Sequence, residues 1–243
     1  MGGKIIVEFP EGKTFLNTIK SVNSVNASAR FMFRKDYIEI REFSIDMDSY
    51  IDVFIPVNAL LMYEIDHEHD VVIEPNEMIN ALKGVGHQPF KLMVIDDIIS
   101  ISNGTYTYNF KVKSYEKSYE YEDDLKFKHN VMFEMYSDEF KNIIDIIYKY
   151  TSMRYYDKFV INVQDNDIRI KTEDDNINIH VKPIRINVIE NSTSKYNIKE
   201  LHRVIQHLSK IYKTIEVKFS TEQPLELSIN YLYKIKYLLA PMI

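Results

Sequence analysis

Residues 224–243 read PLELSINYLYKIKYLLAPMI. Pro224 and Leu225 open an extended segment that runs to about residue 240, since Leu, Ile and Tyr dominate it and a proline at a strand start gives up no ladder hydrogen bond. Working back from this end, 214–219 reads as a strand and 197–213 as a helix with Ile198, Leu201, Ile205, Leu208 and Ile211 on one side. Before them come strands over 158–189, a helix over 137–154 carrying Phe140, Ile143, Ile144 and Ile147, and a strand at 130–136.

The first half runs in the same order. A strand at 4–9 leads through Gly12, Lys13 and Thr14 into a helix over 12–27, with Phe15, Leu16, Ile19 and Val22 at helical spacing. Short strands follow at 31–33, 37–41, 50–55 and 71–73. Pro75 and Asn76 open a second helix with Met78, Ile79, Leu82 and Val85, which Gly84 and Gly86 help to end. Further strands reach residue 113. Tyr37, Ile38, Glu39, Ile40 and Arg41 resemble Asp167, Ile168, Arg169, Ile170 and Lys171, and Glu77, Met78, Ala81 and Leu82 match Glu200, Leu201, Val204 and Ile205. A duplicated chain is therefore expected, with one domain over 1–112, a polar Tyr-, Glu- and Lys-rich connector over 113–126, and a second domain over 127–243.

Composition narrows the function. The chain has 243 residues, 45% hydrophobic and 27% charged, which is ordinary globular material. The absence of cysteine removes disulfide frameworks, thiolate metal sites and thiol nucleophiles together. No long apolar run predicts a membrane span, and Glu8 and Glu11 flank only a short apolar stretch, so an intracellular protein without membrane contact is expected. The net charge of −6 argues against a nucleic-acid partner only if charge is spread evenly. It is not: the four expected helices carry a net +5. On the last helix Lys199, Arg203, Gln206, Lys210 and Lys213 recur at steps of three and four away from the apolar stripe. Such a face suits sequence-independent attraction to phosphates.

The ending Lys236, Tyr237, Leu239, Ala240, Pro241, together with the Pro224-Leu225 strand start, resembles the proliferating cell nuclear antigen (PCNA) family of DNA sliding clamps, in a divergent archaeal or viral form. The resemblance implies an α+β fold of two similar domains, each with two helices packed on antiparallel sheet, and assembly of three chains, identical or paralogous, into a pseudo-sixfold ring. Lys13, Lys20, Lys83, Lys141, Lys149, Lys199, Arg203, Lys210 and Lys213 would then face double-stranded DNA. Edge strands around Tyr106, Tyr108, Phe110 and Val112, and around Ile177, Ile179 and Val181, would join neighbouring subunits. Short peptides from a DNA polymerase, clamp loader, nuclease or ligase would enter a pocket at Phe43, Ile45, Met47, Leu125, Pro224, Ala240, Pro241 and Met242. No catalysis, cofactor or metal is implied, and the protein would reside with the DNA, in an archaeal cytoplasm or a host compartment. The connector is more charged than in relatives, and the chain stops at Met242 and Ile243 where relatives often continue with Lys and an acidic tail.

Other chemistries compete. Asp66, His67, Glu68, His69 and Asp70 are five potential metal ligands in a row, but adjacent residues on an extended segment point to opposite faces, so a solvated loop is expected. Gly12-Lys13-Thr14 imitates the end of a phosphate-binding loop, yet Val7 stands where that motif needs glycine. Asp165, Asp167, Asp174 and Asp175 fit hairpin turns better than a nuclease centre. A clamp-like regulatory or structural subunit that never rings DNA remains open, as does a metal-dependent nuclease.

Overall fold

A computed structural model of the chain describes residues 4–112, 125, 127–154 and 157–242. The chain divides into two compact units: Met1–Phe43, Ile51–Glu122 and Asn230–Ile235 form the first, and Ser44–Tyr50, Asp123–Ile229 and Lys236–Ile243 the second. The connector expected at 113–126 lies outside the described residues except for Leu125.

In the first unit the order is β1 (Lys4–Phe9), α1 (Gly12–Val25), β2 (Ala29–Phe33), β3 (Tyr37–Phe43), β4 (Ser49–Pro56), a 3-10 turn at Val57–Ala59, β5 (Met62–Ile65), β6 (His69–Ile73), α2 (Pro75–Val85), β7 (Phe90–Ile95), β8 (Ile98–Ser102) and β9 (Thr107–Lys111). One sheet runs β5-β1-β7-β8-β9, and a second run is β4-β3-β2-β6. Alternation decides which side packs: Phe90, Leu92 and Val94 of β7 and Ile99 and Ile101 of β8 are buried, while the residues between them are not. Phe9, Phe15 and Phe90 form an aromatic cluster, with Phe9 stacked on Phe90 at 4.8 Å. Each such fully buried large side chain contributes roughly 1.5–3 kcal/mol.

Gly12 starts α1 for a steric reason. A Cβ there would lie 2.4 Å from the Gly86 carbonyl oxygen, so only glycine lets the start of α1 touch the end of α2. Its N–H donates to Gln88 O at 3.1 Å, and Thr14 Oγ1 donates to Glu11 Oε2 at 2.8 Å. Gly12-Lys13-Thr14 thus builds a helix start.

The second unit contains β10 (Val131–Tyr136), α3 (Ser137–Ser152), β11 (Lys158–Gln164), β12 (Asp167–Thr172), β13 (Asn178–Val181), β14 (Arg185–Val188), β15 (Ser192–Asn197), α4 (Ile198–Leu208), β16 (Thr214–Phe219), β17 (Leu225–Asn230) and β18 (Lys234–Leu239). Its strands run β14-β10-β16-β17-β18 and β13-β12-β11-β15. Asp165 and Asn166 both take positive φ (48° and 68°), the geometry of a two-residue hairpin turn between β11 and β12, whose ladder closes at Gln164 and Asp167. Asn197 caps α4 by accepting from the N–H groups of Lys199 and Glu200. The α+β class and the four helices among the described residues agree with the sequence reading.

Three helix ends differ from it. α1 stops at Val25 because Asn26 turns extended, and its Nδ2 donates to Phe43 O at 2.9 Å. α3 stops at Ser152, leaving Arg154 outside. α4 stops at Leu208; the turns that follow still bury Ile211, which is why the apolar period overran the helix. Among the described residues, no helix is long and apolar enough to cross a membrane.

Candidate nucleic-acid interface and client site

With these ends the helices hold less positive charge than expected. α1 has two lysines, α2 one acid and one lysine, α3 three acids and two lysines, and α4 Lys199 and Arg203 against Glu200, for a net +2 instead of +5. Lys210 and Lys213 lie beyond α4, both exposed.

In the first unit Lys13 and Lys83 are exposed and Lys20 is half-buried, on helices whose other sides pack. In the second unit α4 buries Ile198, Leu201, Val204, Ile205 and Leu208 and exposes Lys199 and Arg203. Arg203 is tied to Glu200 one turn back, and Lys141 Nζ lies 2.6 Å from Asp145 Oδ2, so two of the expected cations are locally neutralised. Asp145 also accepts from Gln206 Nε2 at 2.6 Å, and His202 Nε2 lies 3.1 Å from it, with the His202 ring stacked on Tyr148 at 3.8 Å. Burial pushes the Asp145 carboxyl up, but the donors from Lys141 and Gln206 outweigh it and hold it below the usual carboxylate range. Burial lowers the His202 pKa against the opposing pull of Asp145. This polar layer joins α3 to α4. Lys13, Lys83, Lys149, Lys199, Lys210 and Lys213 carry no ion pair with the described residues, and three of them, Lys199, Lys210 and Lys213, lie on α4 and the turns after it.

The expected interface residues lie on two sheet edges. β9 ends the five-stranded sheet and β13 ends β13-β12-β11-β15. Val112 N donates to Asp97 O (2.8 Å) and Asn103 N to Tyr106 O (3.3 Å). Bonded pairs alternate along an antiparallel ladder, so with Ile99 opposite Phe110, the N–H of Phe110 points inward to β8. The outward groups belong to Thr107, Asn109 and Lys111. A proline at Phe110 therefore removes a bond internal to the sheet. The same reasoning holds at β13, where Thr172 N donates to Ile177 O at 3.0 Å and Ile170 faces Ile179. Asn178 and His180 point their backbone groups outward, and Ile177, Ile179 and Val181 do not.

The side chains follow the opposite rule. Tyr108 and Phe110 sit opposite buried Ile101 and Ile99, and Ile179 and Val181 opposite buried Ile170 and Ile168, so the apolar members lie on the packed side of each sheet. Tyr108 lies against Gly84 of α2, where a Cβ would come within 2.2 Å of its hydroxyl. Tyr106 and Tyr108 keep 56% and 40% of their surface exposed at the edge.

Most expected client-site residues meet within the second unit. Ala240 N donates to Asp48 O (2.7 Å), Met242 N donates to Lys195 O (2.8 Å), and Pro241 bridges Tyr196. Tyr196 Oη donates to Gln223 O at 2.9 Å, beside Pro224. The 44–48 turn, the 223–224 turn, β15 and the 240–242 segment are thereby joined, with Pro224, Ala240, Pro241 and Met242 half-buried and Ile45 and Met47 exposed. Burial raises the Tyr196 phenol well above its ordinary range, so it stays a neutral donor. Leu125 is half-buried. Phe43 belongs to the first unit, where its carbonyl holds Asn26.

The acidic runs serve the fold. Asp66 Oδ2 accepts from Lys4 N, Glu68 Oε1 from Lys35 N, and Asp70 pairs with Arg30 and Arg34. His69 and Asp70 lie in β6, so the stretch is a loop only in part. Asp174 accepts from Thr172, Asn176 and Tyr150, and its pKa lies far below the usual range because of those bonds. Asp167 pairs with Arg169 and His180, and Asp175 with Lys171. Among the described residues no group of three or more such side chains is placed to hold a metal ion.

The chain is thus built of two α+β units, each with a helix pair packed on antiparallel strands. The comparisons give that architecture a particular match: the chain has the PCNA fold. It superposes on A. fulgidus PCNA, determined with the C-terminal region of FEN-1 bound, with a TM-score of 0.85 at 18% identity over 98% of each chain. The PCNA2–PCNA3 complex of Sulfolobus tokodaii gives 0.84 at 18% identity over 97% of this chain and 98% of that one. PCNA of Entamoeba histolytica gives 0.86 at 16% identity over 98% and 99%. No family model matches the sequence, and no curated protein does.

Proposed function

We propose that the chain is a subunit of a DNA sliding clamp, a non-enzymatic ring that holds nucleases and polymerases on duplex DNA through their tail peptides. The observation that carries this reading is agreement with PCNA structures over both units, in a chain whose β9 and β13 are each left at a sheet edge. Outward backbone groups on Thr107, Asn109 and Lys111 meet those on Asn178 and His180 of a second copy, and Tyr106, Tyr108 and Phe110 continue into Ile177, Ile179 and Val181 on the packed side. Two different edges make a head-to-tail contact, which closes into a ring when the rotation allows. The FEN-1 tail in one neighbour and the paired paralogues in another support a nuclease-type client and either a homomeric or a mixed ring. The duplex is held by diffuse attraction, through Lys13 and Lys83 in the first unit and Lys199, Lys210 and Lys213 in the second.

Sedimentation of the purified chain, alone and with any paralogous chain, tests the reading. A trimer-sized species is expected; a monomer at every concentration and in every mixture removes the ring.

A further inference from the structure

β14 is a sheet edge that the contact between β9 and β13 leaves unused. It ends the run β14-β10-β16-β17-β18, with its inner side paired to β10. Ile189 N donates to Asn130 O at 2.7 Å, so by the alternation of an antiparallel ladder Asn187 and Arg185 also turn their backbone groups inward, and the N–H and C=O groups of Ile186 and Val188 point out. The side chains along it are exposed too. Ile189 keeps 74% of its surface and Ile184 46%, and the exposed Arg185 holds its guanidinium 2.7 Å from Glu134. An open edge flanked by apolar side chains is a template for a further strand. The edge is short: Pro183 precedes it, and Ile184 N donates to Glu134 O (2.7 Å) on the residue that Arg185 already faces, which breaks the alternation there. Two outward-facing residues remain, enough for a short and reversible ladder.

Charge selects the occupant. Lys182 stands at one end of the edge, exposed and without an ion pair among the described residues. Glu190 stands at the other end, also exposed, and accepts from Asn130 Nδ2 at 3.0 Å. A second copy of the strand laid antiparallel brings Lys182 of each chain to Glu190 of the other, once at each end, whereas a parallel copy sets like charge on like. We propose that two copies of the chain pair antiparallel through β14. With the two-fold axis at Asn187, Ile186 of one chain faces Val188 of the other, so the outward N–H and C=O groups of both residues are all used. Arg185 then lies opposite Ile189, and its aliphatic stem covers that exposed side chain. The contact is separate from the ring contact and does not require it; where rings form, it joins a subunit of one ring to a subunit of another.

Sedimentation equilibrium of the full chain carrying Asn109→Pro, in which the ring contact is expected to fail, reads the β14 contact by itself. A monomer–dimer equilibrium is expected at concentrations above those that assemble the ring. Lys182→Glu sets glutamates together at both ends of the ladder and Glu190→Lys sets lysines there, so each variant by itself should dimerise about tenfold more weakly at low salt. An equimolar mixture of the two restores opposite charges at both ends and should associate as tightly as the chain without them. In the concentrated sample the amide protons of Ile186 and Val188 should exchange more slowly, while that of Ile189, already bonded to Asn130, should not change. No dimer at any concentration, a mixture no tighter than either variant by itself, or unaltered exchange at Ile186 and Val188 overturns the β14 contact. If Asn109→Pro still forms trimers, the edge assignment at β9 is what fails, and the same charge comparison is read on the step from trimer to larger species, where each outcome keeps its meaning.

Discussion

Replacing Asn109 by proline is expected to separate assembly from folding. Asn109 lies mid-way along β9, and the alternation set by Val112 and Asp97 turns its N–H away from β8. Proline is tolerated on an edge strand when the lost donor faces outward, so the unit should fold. Within the unit the substitution removes only the bond from Ser100 Oγ to Asn109 Oδ1 (2.7 Å), an exposed contact contributing at most about 1 kcal/mol. At the contact between copies it removes one donor, about 0.5–1.5 kcal/mol, and leaves a partner carbonyl unsatisfied at about 1–3 kcal/mol more. A total of about 2–4 kcal/mol per contact lowers each association constant by roughly 30- to 1,000-fold. Sedimentation velocity should therefore show monomer where wild type is assembled, with nearly unchanged thermal unfolding. Phe110→Pro is the contrasting variant, since its N–H points to Ile99 and its loss should lower the melting temperature. An Asn109→Pro protein that assembles like wild type, beside a folded but monomeric Phe110→Pro, would refute the edge assignment.

Reversing Lys199 and Lys210 together to Glu should sharply lower salt-sensitive retention on DNA and leave assembly intact, whereas Arg203→Glu alone should do less because Arg203 is already held by Glu200; filter binding across a salt series measures both. Burial alone pushes the Glu226 carboxyl up, but hydrogen bonds from His129 and Lys218 outweigh it and hold it at about 2. A lowered folded-state pKa means stability that is present above the ordinary value of 4.5 and lost as pH falls toward 2, so Glu226→Gln should flatten the acid limb of a melting-temperature profile in that window. Gly12→Ala should cost about 1–3 kcal/mol in denaturant unfolding, because the new Cβ meets the backbone oxygen of Gly86 and no flexible side chain can give way.

The parts of the fold written in local periodicity were legible. Ile198, Leu201, Ile205 and Leu208 mark α4 by their spacing, and all are buried. Pro75 marks the start of α2 by its fixed φ. The end of α4 was not legible, since Ile211 packs from a turn and continues the apolar count after the hydrogen-bonded helix has stopped. Charge was overcounted for the same reason: Arg154, Lys210 and Lys213 fall within the expected helices but lie beyond the ends of α3 and α4. Register at β9 and β13 was the least accessible. Which N–H of Asn109 and Phe110 faces outward depends on a bond made at Val112, and shifting that pairing by one residue would reverse the answer without changing a single local preference. At the client site, Ala240, Pro241 and Pro224 come from the C-terminal resemblance, whereas the bonds that set Ile45 and Met47 on a rigid turn could not be read from the residues of that turn alone.

Topological linkage to DNA is the central claim, and retention on circular against linear duplex tests it most directly. Protein assembled on a nicked plasmid is separated by gel filtration at moderate salt, before and after a single restriction cut. The account predicts that the chain co-elutes with the closed circle and is lost when the cut opens an end. Equal retention on circle and linear duplex, or equal loss from both, would contradict it.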